Sequence, residues 1–135
     1  MRLILLTLAA AMATTPAVAA DPVSLKATLT GSADTDADGT GTAAVTVDTT
    51  KNEVCYKLTV SGIEPATMAH IHKGAAGVSG PVVVPFDPPT SGSSEGCKPV
   101  TAEVAAALVA SPGDYYVNVH NAPFPKGAIR GQLIK

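Results

Sequence analysis

Residues 53–61 read EVCYKLTVS, and this stretch decides the class of fold. Apolar and polar side chains alternate, with one face formed by Val54, Tyr56, Leu58 and Val60 and the other by Cys55, Lys57 and Thr59. Successive side chains of a β-strand point to opposite faces of a sheet. The pattern therefore predicts a strand with one side buried.

The same kind of pattern extends outward in both directions along the chain. Strands are predicted over residues 23–30, 40–48, 67–73, 81–86, 114–120 and 128–134, separated by turn-rich segments. Residues 87–96, rich in Pro, Ser and Gly, are predicted to form a loop. A short helix is expected over residues 101–110, with Thr101 as N-cap. The predicted fold class is all-β, an antiparallel Greek-key β-sandwich or barrel with one short helix.

The first twenty residues have the pattern of a secretory signal peptide. Arg2 precedes an apolar run, and small residues end the segment. We expect a signal peptide over residues 1–20 and one domain over residues 21–135, secreted to the periplasm or beyond. No membrane span is predicted, because the apolar run that follows Arg2 is too short to cross a bilayer.

Charge and cysteine content limit the partners. Removing Arg2 from the nine basic residues leaves eight against eleven acidic ones, a net charge of −3 with neutral histidines. No basic run exists to neutralise phosphates, which argues against a nucleic-acid partner.

Two cysteines, Cys55 and Cys97, are most simply one disulfide in an oxidising compartment. Metal thiolates and free thiols are the alternatives.

All three histidines fall in predicted strands. Alternation places His70 and His72 on one face together with Met68, and places His120 on one face with Tyr116 and Asn118. The intervening apolar residues should face the core. The histidines are therefore expected on the outer surface of the sandwich, where they meet if the two strands are neighbours.

Three imidazoles with an open position suit copper, with zinc as a second choice. Met68 would add a thioether that favours Cu(I), while Arg130, Tyr116 and Asn118 are candidate residues around the ligands. Under the competing interpretation the histidines are ordinary polar residues of a sheet surface, and Arg130 forms a plain structural ion pair. Residues 34–39 match the opening of a calcium-binding loop, but the acidic twelfth ligand is missing, so a polar turn is expected instead.

Four motifs, at residues 69–74, 80–84, 115–120 and 125–133, together resemble the CHRD (chordin) domain pattern in its expected order. The resemblance covers residues 23–133. The family includes repeated modules of chordin, a secreted antagonist of bone morphogenetic proteins, and single-domain bacterial secreted proteins. It implies a fold and a location more firmly than an activity.

The histidine pattern is also distantly similar to that of copper/zinc superoxide dismutase, in which an H-x-H strand and a late histidine hold copper. On that resemblance His70, His72 and His120 would be the copper ligands. The bridging histidine and the zinc-loop ligands are absent, so dismutase activity is not implied. An open coordination position would permit redox chemistry on oxygen species, but a binding protein is favoured over an enzyme. The sequence therefore predicts an exported copper-binding protein for metal handling, storage or protection. The alternative is a structural or adhesive module that binds another protein, and a dimer is left open.

Overall fold

The computed structural model describes residues 9–16 and 20–135. Residues 1–8 and 17–19, which carry the charged start and the small-residue end of the predicted signal peptide, lie outside the described residues. The signal peptide therefore stays a prediction. Within the described part of the chain, no helix has the length and apolar character needed to cross a membrane.

Eight strands and one α-helix make up the described domain. The strands are β1 (Val23–Thr30), β2 (Thr40–Asp48), β3 (Glu53–Ser61), β4 (Ala66–Lys73), β5 (Val82–Phe86), β6 (Ser93–Pro99), β7 (Tyr115–Asn121) and β8 (Ile129–Gln132). The helix α1 (Ala102–Ala110) lies between β6 and β7 and is followed by a single 3-10 turn, Pro112–Asp114.

The eight strands form one sheet in the order β5-β4-β7-β8-β1-β2-β3-β6, and all its pairs are antiparallel. Strands β5 and β6 end the sheet and meet through side chains. Lys98 lies 3.0 Å from the Asp87 carboxylate, and the Ser94 hydroxyl donates to the Asp87 carbonyl at 2.8 Å. The sheet is therefore a nearly closed barrel or sandwich, and the predicted all-β class with one short helix is confirmed.

One face of this curved sheet forms the hydrophobic core. In β3, Val54, Tyr56 and Leu58 are buried, as the alternation predicts. They join apolar residues from the rest of the domain, among them Leu29, Val45, Ile71, Val117 and Leu133. Each fully buried side chain of this size contributes about 1.5–3 kcal/mol relative to exposure. Burial of this one face sets the register of the sheet and leaves the opposite face for polar residues.

The helix begins where the sequence indicates. The Thr101 hydroxyl accepts a hydrogen bond from the Val104 amide at 3.2 Å, which satisfies one of the free donors of the first turn. Ala105 and Leu108 are the buried residues of the helix and belong to the core.

Strand β6 corrects the predicted loop over residues 87–96. Residues 93–96 pair with β3 although they are serine, glutamate and glycine, residues with weak strand preference. Cys55 and Cys97 lie directly opposite each other in this pair and are joined by a disulfide, which confirms that prediction. The described residues contain no free cysteine, so the thiolate alternative is excluded here.

Candidate metal centre

Strands β4 and β7 are neighbours, and their pairing builds the site. Across the pair, Met68 is opposite His120, His70 opposite Asn118, and His72 opposite Tyr116. The intervening residues Ala69, Ile71, Val117 and Val119 are completely buried in the core. The histidines therefore lie on the other face of the sheet, because side chains alternate along a strand.

The three imidazole rings converge. Ring centroids are 5.3 Å apart for His70 and His72, 5.1 Å for His70 and His120, and 6.0 Å for His72 and His120. One nitrogen from each ring lies within 4.8 Å of the other two. The cluster could therefore hold a metal ion.

Two of these histidines are buried, although they lie on the outer face of the sheet. His72 and His120 are only 8% and 6% exposed, because the β4–β5 loop and the β7–β8 loop cover this face. His70 is half-buried and gives the cluster its contact with solvent. The site is a partly covered recess on the outer face of the sheet.

Each covering loop fixes one ring through a backbone carbonyl. The Nδ1 of His72 lies 2.8 Å from the carbonyl oxygen of Gly80, and the Nδ1 of His120 lies 3.0 Å from that of Pro125. A carbonyl oxygen can only accept, so both Nδ1 atoms must carry the proton. With Nδ1 protonated, the Nε2 atom of a neutral ring carries the lone pair, which is the arrangement usual for metal-bound histidines. In His72 this atom has no hydrogen-bond partner, whereas in His120 it lies 3.2 Å from the Nδ1 of His70.

One buried atom in this cluster has no hydrogen-bond partner. The Nε2 of His72 is inaccessible to solvent and makes no hydrogen bond. A buried polar atom without a partner costs about 1–3 kcal/mol, so it calls for an explanation. A metal ion bound by this lone pair would supply one, and the donor set therefore fits a metal.

The electrostatics of the cluster favour neutral imidazoles. Burial, followed by the positive potential of His120 and of His72, lowers the pKa of His70. Burial also lowers the pKa of His120, although the hydrogen bond to Pro125 opposes the shift and His72 adds to it. Neutral rings are the form that binds a metal without first losing a proton.

Tyr116 and Arg130 lie beside the cluster in a stack. The Tyr116 ring lies parallel to His72 with centroids 4.9 Å apart, and the Arg130 guanidinium carbon is 3.4 Å from the Tyr116 ring centroid. The Tyr116 hydroxyl accepts the amide N–H of Gly80 at 3.1 Å. Tyr116 thus contacts His72 directly and also holds the residue whose carbonyl orients it.

The plain ion pair expected for Arg130 is not found. Its guanidinium donates to the carbonyls of Val78 and Ala75 and to the Gln132 side chain, and no carboxylate of the described residues pairs with it. Arg130 therefore fastens the β4–β5 loop over the stack. Asn118, between His70 and Arg130 in the register, is 5% exposed.

Three further sets of potential metal ligands remain to be considered: Met68, the aspartates of residues 34–38, and Glu53 with the two cysteines. Met68 shares the face of the histidines but is 45% exposed, so its role as a ligand remains a prediction. The aspartates of residues 34–38 form no metal-type cluster among the described residues. Glu53 lies near Cys55 and Cys97, but those sulfurs are joined in the disulfide.

Sequence reasoning missed the two carbonyls that orient His72 and His120. Gly80 and Pro125 contribute through their backbone, and a carbonyl oxygen leaves no mark on the residue type. The only available signal was the concentration of Gly and Pro in the segments after β4 and β7, which indicates fixed turns.

Comparison with known proteins supports one family. The model of the CHRD domain matches residues 25–133, which is most of the chain. The chain belongs to the CHRD domain family. No curated protein and no solved structure matches it. The similarity to copper/zinc superoxide dismutase is therefore not borne out, while the CHRD resemblance seen in the sequence is confirmed.

Proposed function

We propose that this CHRD domain protein is an exported copper-binding protein that holds the ion through His70, His72 and His120, with Met68 as a fourth ligand. The proposal is carried by one observation, the buried and unpartnered Nε2 of His72 beside two further imidazoles. A role in copper handling, storage or protection fits an ion held by three imidazoles on a rigid sheet, with the ring of His70 reaching solvent.

Copper is preferred to zinc because of the neighbours of the imidazoles. Imidazole nitrogen suits both ions, and copper(II) binds most tightly in the divalent series. A thioether is a soft ligand that selects Cu(I), and Met68 is opposite His120 on the same face of the sheet. Zinc remains the second choice, since three histidines and an open position also suit it.

Export is supported by two features of the chain. Residues 1–20 have the charged, apolar and small-residue segments of a signal peptide. The Cys55–Cys97 disulfide is the kind of bond that persists in oxidising compartments.

Copper titration of the purified protein, made without a polyhistidine tag and stripped with a chelator, tests the proposal. The chain has only three histidines, so nitrogen coupling from imidazole in the electron paramagnetic resonance spectrum must come from this cluster. We expect that coupling in the parent protein and its loss in His70→Ala and in His120→Ala. Circular dichroism of each variant checks that it remains folded.

Two results would overturn the proposal. One is copper binding no tighter in the parent than in the triple variant His70→Ala, His72→Ala, His120→Ala. The other is a signal without nitrogen coupling. Either would favour the structural or adhesive module, with the histidines as packing residues. Met68→Leu, which keeps the size of the side chain, tests the thioether separately through the Cu(I) affinity.

A further inference from the structure

A second recess lies beside the histidine cluster on the same side of the sheet. It is a cleft of about 480 Å³ bounded by the β1–β2 loop, the β4–β5 loop and the start of β8. Its size falls within the range of small-molecule sites. Asn118 belongs to the wall of the cleft and also pairs with His70 in the sheet, so the two recesses are adjacent but distinct.

The charge of the cleft differs from that of the whole chain. Lys126 and Arg130 line it, and none of its lining residues is acidic, although the chain has a formal net charge of −2. Neither cation forms an ion pair with a carboxylate of the described residues. Arg130 keeps N–H groups beyond those donated to Val78, Ala75 and Gln132, because a guanidinium has five. The cleft therefore favours an anion.

Asn118 requires a hydrogen-bond donor from the ligand. Its side chain is 95% buried, since only 5% is exposed, yet its Oδ1 has no hydrogen-bond partner. An amide oxygen accepts, so the missing group is an O–H or N–H donor. Three residues with hydroxyl side chains, Thr30, Ser32 and Ser79, also line the cleft. An ionised carboxylate alone has no hydrogen to donate to the Oδ1 of Asn118, whereas a hydroxylated carboxylate has one.

We propose that this cleft binds a small polyhydroxy carboxylate, of the sugar-acid class. The carboxylate lies toward Lys126 and Arg130, and a hydroxyl of the ligand donates to Asn118. The proposal does not depend on a metal at the histidines, since no histidine lines the cleft.

Titration of the metal-free, ¹⁵N-labelled protein with D-glucuronate tests this assignment. D-glucose, which has the hydroxyls but no carboxylate, and acetate, which has the carboxylate but no hydroxyls, are the comparison ligands. We expect saturable shifts of the amide signals of Gly127, Arg130 and Gly131. Glucose and acetate should each bind at least about tenfold more weakly, because each loses charge-assisted or neutral hydrogen bonds. The ionic strength is held constant throughout.

Variants of the exposed residue Lys126 distinguish binding in the cleft from non-specific electrostatic attraction to the protein. Lys126→Gln should weaken glucuronate binding about tenfold, the factor expected for one lost charge-assisted hydrogen bond, and Lys126→Glu should abolish it. Lys51→Gln, at the far end of the β2–β3 hairpin, is the matched control and should leave binding unchanged.

Shifts that do not saturate, or that persist in Lys126→Glu, would overturn the proposal. Equal binding of acetate or of glucose would overturn the hydroxycarboxylate assignment. A failed copper titration would leave these results intact, because chelator is present and the histidines are not in the cleft.

Discussion

The Nδ1 of His70 lies 3.2 Å from the Nε2 of His120. This is the spacing of a hydrogen bond, and it is also close to the distance of about 3.3 Å between two nitrogens bound to one tetrahedral ion at 2.0–2.1 Å. Because the Nδ1 of His120 already donates to Pro125, His70 must be the donor of the pair when no metal is bound. A proton or a metal ion can therefore occupy the same position between two strands.

The first prediction concerns the metal-free protein and pH. The pKa values of His70 and His120 are lowered in the folded state, mainly by burial. The unfolded chain, with histidine pKa near 6.5, therefore binds more protons than the folded chain just below that pH. The free energy of unfolding should fall as the pH is lowered from about 7.5 to about 5. Urea unfolding in the presence of chelator measures it.

The control for this prediction is the variant His70→Gln, His120→Gln, which removes both titrating rings. Its unfolding free energy should depend less on pH over the same interval. The ion pair of Asp87 and Lys98 does not interfere, because it lowers an aspartate pKa whose ordinary value already lies below this interval. A parent protein that became more stable on acidification would contradict the prediction.

The disulfide gives the second prediction. It joins cysteines 42 positions apart, and the chain-entropy model assigns roughly 3–4 kcal/mol to a loop of this length. Cys55→Ala with Cys97→Ala should lower the free energy of unfolding by about that amount, measured by urea denaturation. The copper affinity should not change, because β3 and β6 do not contribute to the histidine cluster. A parallel loss of copper binding would show that the metal centre depends on closure of the sheet.

The strands that the sequence predicted correctly are those with one buried face. Residues 23–30, 40–48 and 53–61 have their predicted limits, because alternate apolar residues there meet a single core. Strand β6 was missed because its pairing comes from β3 and the disulfide, which are distant in sequence, and because Ser93–Gly96 has no apolar alternation.

The candidate site could be predicted only in part for a similar reason. The spacing of His70 and His72 and the alternation around His120 indicate which face they share. Their burial could not be predicted, since it comes from two loops that fold back over the sheet. The carbonyls of Gly80 and Pro125 depend on the path of those loops, which residue type does not specify.

The third prediction tests Tyr116 as a positioning residue. Its hydroxyl accepts the N–H of Gly80, whose carbonyl accepts from His72. Tyr116→Phe removes that hydroxyl and keeps the ring stacked on His72. Copper affinity should fall by up to about tenfold, the lower end of the effects seen for groups that orient metal ligands. Competition with a chromophoric copper chelator measures it.

Tyr115→Phe is the matched control for this substitution. Tyr115 is the neighbouring residue, but its side chain is buried in the hydrophobic core. Copper affinity should be unchanged in this variant. Equal losses in the two variants would indicate a general loss of stability, and no loss in Tyr116→Phe would remove Tyr116 from the positioning of His72.

The last prediction concerns Gly127, in the loop that orients His120. Its φ of 132° lies in a region that residues with a side chain rarely adopt, and an added Cβ would lie 2.5 Å from the Oδ1 of Asn118. Gly127→Ala should therefore lower the free energy of unfolding by about 1–3 kcal/mol. Copper affinity should fall as well, because Pro125, two residues earlier, moves with the loop.

Gly113→Ala is the control, since nothing lies within 4 Å of its added Cβ, and it should be neutral or stabilising by up to about 1 kcal/mol. If Gly127→Ala loses stability but keeps full copper affinity, the carbonyl of Pro125 does not help to hold His120 in its binding orientation.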